Sequence, residues 1–195
     1  GIGSPGTIDA KQGVILYSNN FGWENVPIVE ELKKHLDTRI EIANDADAAA
    51  LGEVCAGAAE GAENAVLLTL GTGVGSGVIL DKKIFRGAMP GGCELGHLSI
   101  RYDGIRCTCG RKGCLEAYAS ASALLRIARE KAAEHPESIM NEMCKNDLEQ
   151  MNGKIPFDAA KAGDEAGMET VKEYEGYLAC GIANVINAFR PEKVI

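Results

Sequence analysis

Aromatic side chains are scarce in this sequence, at 5% of residues with a single tryptophan, Trp23. Basic residues are also outnumbered, 20 Lys and Arg against 28 Asp and Glu, which leaves a formal net charge of −8. A surface that tracks nucleic acid needs clustered Lys and Arg, and no such run occurs, so no nucleic acid is expected as a partner of this piece. No apolar run approaches the roughly 20 residues that cross a bilayer, and no signal peptide opens the chain; no membrane association is expected. A disulfide framework is missing too. The seven cysteines are odd in number, and Cys55, Cys93, Cys144 and Cys180 stand alone, which fits a reducing compartment and a cytoplasmic protein. What remains is the composition of a soluble globular protein, 46% hydrophobic and 25% charged, long enough at 195 residues for one large domain or two small ones. The chain starts directly on Gly1-Ile2-Gly3-Ser4-Pro5-Gly6 and stops on the β-type run Lys193-Val194-Ile195, so further segments are expected at both ends.

Three cysteines do cluster. Cys107, Cys109 and Cys114 fall inside eight residues as C-x-C-x4-C, with Gly110 and Gly113 to turn the loop and His97 ten residues upstream. A disulfide between Cys107 and Cys109 would be strained by its one-residue gap. Zinc takes thiolates and neutral imidazole in a closed tetrahedron, so His97, Cys107, Cys109 and Cys114 form a candidate structural zinc site. Glu94 lies three residues before His97, and Glu116 two after Cys114. A metal that fixes this loop holds both carboxylates on a rigid frame, where each can accept strong hydrogen bonds from a hydroxyl-rich substrate. A lone glutamate is otherwise a solvated surface charge.

Upstream, Gly3-Ser4-Pro5-Gly6-Thr7 reads as a turn and Val14 to Ser18 as a strand. Asn19-Asn20-Phe21-Gly22-Trp23 is a polar loop, with Trp23 expected to anchor a core. Pro27 opens a helix with Ile28, Val29, Leu32 and Leu36 at helical spacing, and Arg39 to Ala43 reads as a short buried strand. That strand passes at Asn44-Asp45 into an alanine-rich helix. Either residue can cap the helix. A carboxylate at a strand-to-helix junction also sits at the carboxyl end of a sheet, where α/β folds place ligands, and the helix N-terminus keeps it ionised.

Val66 to Leu70 leads into Gly71-Thr72-Gly73-Val74-Gly75-Ser76-Gly77, where glycine takes every second position and one face of an extended chain is bare backbone. Such a face lets a phosphate approach the N–H groups, with Thr72 and Ser76 as added hydroxyl donors; close backbone packing is the alternative. No Gly-Lys-Ser/Thr follows, and no helix pattern, so this is neither a Walker loop nor a dinucleotide fingerprint. A flexible loop, Gly87 to His97, runs into the cysteine cluster. From Ser120 the chain turns helical: one helix to near Pro136, a second over Ile139 to Met151, a third from Pro156 to Gly163, and a last from about Ala166 to Phe189, with Asp164 as its cap. His35 and His135 sit among charged residues and are expected to be solvated.

Taken together, these motifs resemble the ROK family of sugar kinases and repressors, in particular its bacterial glucokinase branch. The resemblance runs through Gly3-Ser4-Pro5-Gly6, Asn44-Asp45, Gly71-Thr72-Gly73, Glu94-Leu95-Gly96-His97 and the stretch Cys107 to Glu116, which matches the family's C-x-C-G-x-x-G-C-x-E. It implies an α/β fold of the actin/hexokinase type, with ribonuclease-H-like lobes, and phosphorylation of a hexose, glucose foremost, by Mg-ATP. It also implies Asp45 as catalytic base and Asn20, Asn44, Asp45, Glu94, His97 and Glu116 as sugar contacts. Thr72, Gly73, Gly163 and Asp164 would face the nucleotide, with zinc in a structural role and a homodimer as the assembly. Alternatives within the same resemblance are the sugar-sensing domain of a repressor or a kinase for another hexose such as N-acetylmannosamine. The family's Asp-x-Gly-Gly-Thr phosphate motif and its glycine-rich adenosine motif do not occur, so residues 1–195 resemble the central and C-terminal core of such a kinase and are expected to be weak or inactive alone.

Overall fold

The computed structural model describes residues 1–88 and 91–195; Met89 and Pro90, in the expected flexible loop, lie outside the described residues. In chain order come the strands β1 (Ile2–Ser4), β2 (Thr7–Asp9), β3 (Val14–Ser18) and β4 (Trp23–Val26), helix α1 (Ile28–Lys33), β5 (Ile42–Asn44), helix α2 (Asp45–Ala56), then β6 (Ala65–Leu70), β7 (Val74–Leu80) and β8 (Lys83–Ile84). The helices α3 (Glu116–Ala119), α4 (Ala121–Glu134), α5 (Ile139–Met143), α6 (Ile155–Lys161) and α7 (Glu165–Phe189) follow, and β9 (Lys193–Val194) comes last. The chain forms two compact units: one from Gly1–Thr69, Gly75–Leu95 and Ala188–Ile195, the other from Leu70–Val74 and Gly96–Asn187.

The first unit holds three small sheets. β2, β3 and β4 form an antiparallel meander, β1 pairs in parallel with β5, and a four-stranded sheet runs in the order β8-β7-β6-β9. β9 joins β6 in parallel, Ala65 opposite Lys193 and Val66 opposite Val194. The alanines of α2 have a packing purpose. A Cβ added at Gly77 would lie 2.5 Å from both the Ala46 carbonyl oxygen and the Ala50 Cβ, so helix and strand are in backbone contact. The core here collects Ala50, Ala59, Ala62, Ala65, Leu67 and Ile79, and its alanines suit so close a crossing.

The second unit is helical after its Cys/His loop, residues 97–114. Ser120 caps α4 by accepting the Ala123 N–H at 3.1 Å. Ala128, Ala132, Met140, Cys144, Met151, Ile155, Ala159 and Ala166 form one core, and Leu124, Ile127 and Tyr174 another. Among the described residues, no helix is long and apolar enough to cross a membrane.

Four expectations change. Trp23 is 36% exposed and stacks on Phe21 with ring centroids 4.8 Å apart, because β4 carries it to the rim of a thin meander and not under a second layer. α1 stops at Lys33, which leaves Leu36 half exposed outside it. The strand after it is only Ile42–Asn44. No helix runs from Ile139 to Met151: α5 ends at Met143, and Lys145 and Asn146 adopt φ of 57° and 58°, a left-handed pair that no helix accommodates. A single 3-10 turn, Leu148–Gln150, follows. α2, α4, α6 and α7, with β3, β6 and the terminal strand, lie within a few residues of their expected places, while α3 is a short helix ahead of the expected start at Ser120.

Candidate functional site

The candidate metal loop is built from glycine outward. Gly113 has φ of +75°, and a Cβ there would sit 1.5 Å from the Arg101 carbonyl oxygen, so only glycine fits the turn. Isolated bridges join Ser99 to Cys114 and Arg106 to Lys112, and the Tyr118 hydroxyl accepts the Ile105 N–H at 2.7 Å. This folding brings His97 Nδ1 to 3.6 Å from Cys107 Sγ and Cys109 Sγ to 3.7 Å from Cys114 Sγ. All four donor atoms lie within 4.8 Å of one another. A zinc tetrahedron with ordinary Zn–S and Zn–N bonds has S–S edges of about 3.8 Å and S–N edges of about 3.5 Å, so the donor set fits zinc in chemistry and the His97–Cys107 and Cys109–Cys114 edges match it in length. Burial pushes the Cys114 thiol up to about 12, reinforced by the sulfurs of Cys109 and Cys107, while the Arg111 backbone N–H lowers Cys109. Crowded sulfurs of this kind ionise together only beside a cation. With Nδ1 turned to the sulfurs, Nε2 of His97 is the nitrogen left for a ligand.

Glu116, the first residue of α3, ties this loop to its neighbour. Its Oε2 accepts the Val74 N–H at 3.0 Å, and its Oε1 accepts the Thr108 hydroxyl at 2.9 Å. Gly73 leaves room for that carboxylate, since a Cβ there would lie 2.3 Å from Oε2. The Gly71 and Thr72 carbonyls accept from Ala121 N–H and the Ser122 hydroxyl, at 2.8 and 3.0 Å. Thr72, Arg106, Thr108, Glu116, Ser122 and Arg126 thus line one concave pocket.

In the first unit, Asn44 does the capping. Its Oδ1 accepts the N–H of Ala46 and Asp47 at 2.9 and 3.2 Å, and its Nδ2 donates to the Gly6 carbonyl at 3.2 Å. Asp45 follows as the first residue of α2, exposed, with Oδ1 3.0 Å from Ala46 N. Two residues on, Asp47 is buried and accepts from Arg86 Nε at 3.1 Å; burial pushes its carboxyl up, and Arg86 only partly opposes this. Asn20 is exposed in the turn between β3 and β4, and Glu94 is exposed in the segment that ends at Leu95.

The glycine stripe is not bare along its length. Gly75 and Gly77 face α2 and Thr69, so helix packing fills that face, and only the Gly71 end is open. Ser76 is no phosphate donor either: it is 7% exposed, donates its hydroxyl proton to the Cys93 carbonyl and accepts the Leu95 N–H at 3.0 Å. Asp164 is the cap of α7, accepting from Gly167 N–H and the Ser138 hydroxyl, both at 2.8 Å, and from Ile139 N–H at 3.1 Å. Gly163 precedes it at φ of +86°. Sequence reasoning missed Asp47 with Arg86 and the true partners of Ser76. Their partners lie 17 to 39 positions away, and no local spacing announces them.

The ROK family profile matches residues 1–195, end to end. The chain belongs to the ROK family. Within it, this ROK chain is 40% identical over 196 residues to the glucokinase of Thermotoga maritima, covering all of the chain and 62% of that protein. It is 33% identical over 195 residues to the xylose repressor of Caldicellulosiruptor bescii, covering 48% of it. A crystal structure of a ROK family glucokinase from Streptomyces griseus, in complex with glucose and AMPPNP, superposes with a TM-score of 0.88 at 33% identity, covering all of this chain and 63% of that one. The ROK chain therefore has the actin/hexokinase-like α/β fold of these kinases, and it spans less than two thirds of their length.

Proposed function

We propose that this ROK chain is the sugar-binding part of an ATP-dependent hexose kinase that converts glucose to glucose 6-phosphate. The observation that carries the reading is Asp45: an exposed carboxylate at the start of α2, which shares the Ala46 N–H with its neighbour Asn44, the N-cap that also accepts the Asp47 N–H. Phosphoryl transfer passes through a loose transition state, so the attacking hydroxyl needs alignment and late proton removal more than a strong base. Asp45 accepts the proton of the sugar's primary hydroxyl. Asn20, Asn44, Glu94, Glu116 and Nε2 of His97 serve as hydrogen-bonding partners of the sugar hydroxyls, and orientation supplies much of the rate. Thr72 and Gly73, with Gly163 and Asp164, belong to the Mg-ATP side. Zinc held by His97, Cys107, Cys109 and Cys114 is structural: it fixes the loop and the tautomer of His97. The working protein is a cytoplasmic homodimer in this reading.

The likeness to xylose repressors favours a second reading, in which the same sugar-binding residues serve a sensor without turnover. Asp45→Asn in the full-length protein, assayed with Mg-ATP on a sugar panel, separates the two. The kinase reading expects turnover to fall by at least about 10²-fold, with glucose affinity within a few-fold of wild type. Turnover retained in the variant would reject Asp45 as the base. A wild-type protein that binds sugar but phosphorylates none of the panel would favour the sensor.

A further inference from the structure

We propose that Ser76 is a positioning residue of the sugar site, because its one hydroxyl ties down both peptide groups that flank Glu94. The proposal rests on the reading of Glu94 as a sugar contact. The Cys93 carbonyl belongs to the peptide plane before Glu94, and the Leu95 N–H belongs to the plane after it. Ser76 Oγ donates to the first and accepts from the second at 3.0 Å. A hydroxyl has one donor and two acceptor sites, so both bonds form at once. The two torsions that relate those planes are φ and ψ of residue 94, and with both planes held, the direction in which the Glu94 side chain leaves the backbone is set.

Strand geometry explains why residue 76 does this. Side chains alternate across β7, so Gly75 and Gly77 give one face to α2 while Ser76 is presented on the other. Ser76 is buried, which leaves its hydroxyl dependent on these partners and shields the bonds from water. Cys93 adds a weaker link, its Sγ 3.9 Å from the Phe85 carbonyl oxygen. The side chain of Glu94 is exposed, and the direction of its Cα–Cβ bond follows from the backbone torsions at residue 94.

The test is a double-mutant cycle in the full-length protein, wild type, Ser76→Ala, Glu94→Gln and both, with D-glucose as the probe. Glucose Kd is measured calorimetrically without nucleotide, and kcat and KM for glucose and for Mg-ATP by coupled assay. Ser76→Ala is expected to weaken glucose Kd about tenfold, the scale of returning one residue's backbone to free rotation, and to leave the KM for Mg-ATP within about twofold. In the Glu94→Gln background it is expected to add less than about twofold. Equal effects in both backgrounds, or loss of bound zinc in Ser76→Ala, would overturn the proposal, since Ser76 would then act elsewhere than through Glu94. If Glu94→Gln weakens glucose binding and Ser76→Ala does not, only the role of Ser76 falls; if Glu94→Gln changes nothing, the reading of Glu94 falls and this proposal with it. Should Ser76→Ala not fold, the near-isosteric Ser76→Cys takes its place, and failure of both to fold would make Ser76 a structural residue and overturn the positioning role.

Discussion

Asp164 shows how a single carboxylate can be held by geometry against its surroundings. Burial alone would push it up, yet the Gly167 N–H, the Ser138 hydroxyl and the Ile139 N–H together hold it below the ordinary aspartate range. A carboxyl depressed in the folded state stabilises the protein above its unfolded pKa, and that stability is lost as pH falls through the folded value. Thermal melts below about pH 4 are therefore expected to fall more steeply in wild type than in Asp164→Ala, which has already lost the bond. At neutral pH, Asp164→Ala is expected to cost about 1–2 kcal/mol as a lost N-cap, read from denaturant unfolding. The cap itself was legible from Gly163-Asp164 standing before a long apolar-periodic stretch. Its grip on Ser138 and Ile139 was not, because those partners lie 26 and 25 positions upstream. The clustering of His97, Cys107, Cys109 and Cys114 was the opposite case: four candidate donors within 18 residues, with glycines between them, are brought together by their own loop.

At the scale of elements, α2, which begins at Asp45, crosses β7 in backbone contact at Gly77. Gly77→Ala would push a methyl into the Ala46 carbonyl and the Ala50 methyl, and neither is the end of a flexible side chain. It is expected to cost about 2–3 kcal/mol in urea unfolding, while Gly71→Ala, which meets nothing within 4 Å, is expected to cost under 1 kcal/mol. Periodicity alone could not separate these two glycines, because a strand face emptied for a ligand and one emptied for a helix read alike in sequence. The same ambiguity misled the reading over Ile139 to Met151. Apolar spacing there continues, but Lys145 and Asn146 sit in left-handed torsions that side-chain pattern does not record. Trp23 failed for another reason: a large aromatic is usually buried, and only the edge position of β4 exposes it.

For the whole molecule, the Cys/His loop, α3 to α6 and α7 as far as Asn187 fall in one compact unit, so loss of the proposed zinc should be felt there first. Prolonged chelation is expected to release about one zinc per chain and to lower the melting temperature, with rising amide exchange concentrated in residues 97–116. Release at a fixed chelator concentration is expected to grow as pH falls, since protons compete for the three thiolates and the imidazole. An unchanged melt and exchange pattern after full chelation would remove the structural role given to zinc. The pairing of β9 with β6 has a different kind of consequence, one of timing. Glu192 Oε1 accepts the N–H groups of Glu63 and Asn64, the latter 128 positions earlier, where β9 lies along β6. Closing a loop of that length costs roughly 4 kcal/mol of chain entropy, so this edge of the sheet forms late. On a ribosome, β6 must then wait through the synthesis of every helix from α3 to α7 before its neighbour emerges, and during that interval its open edge is the part of the nascent chain that a chaperone would have to shield.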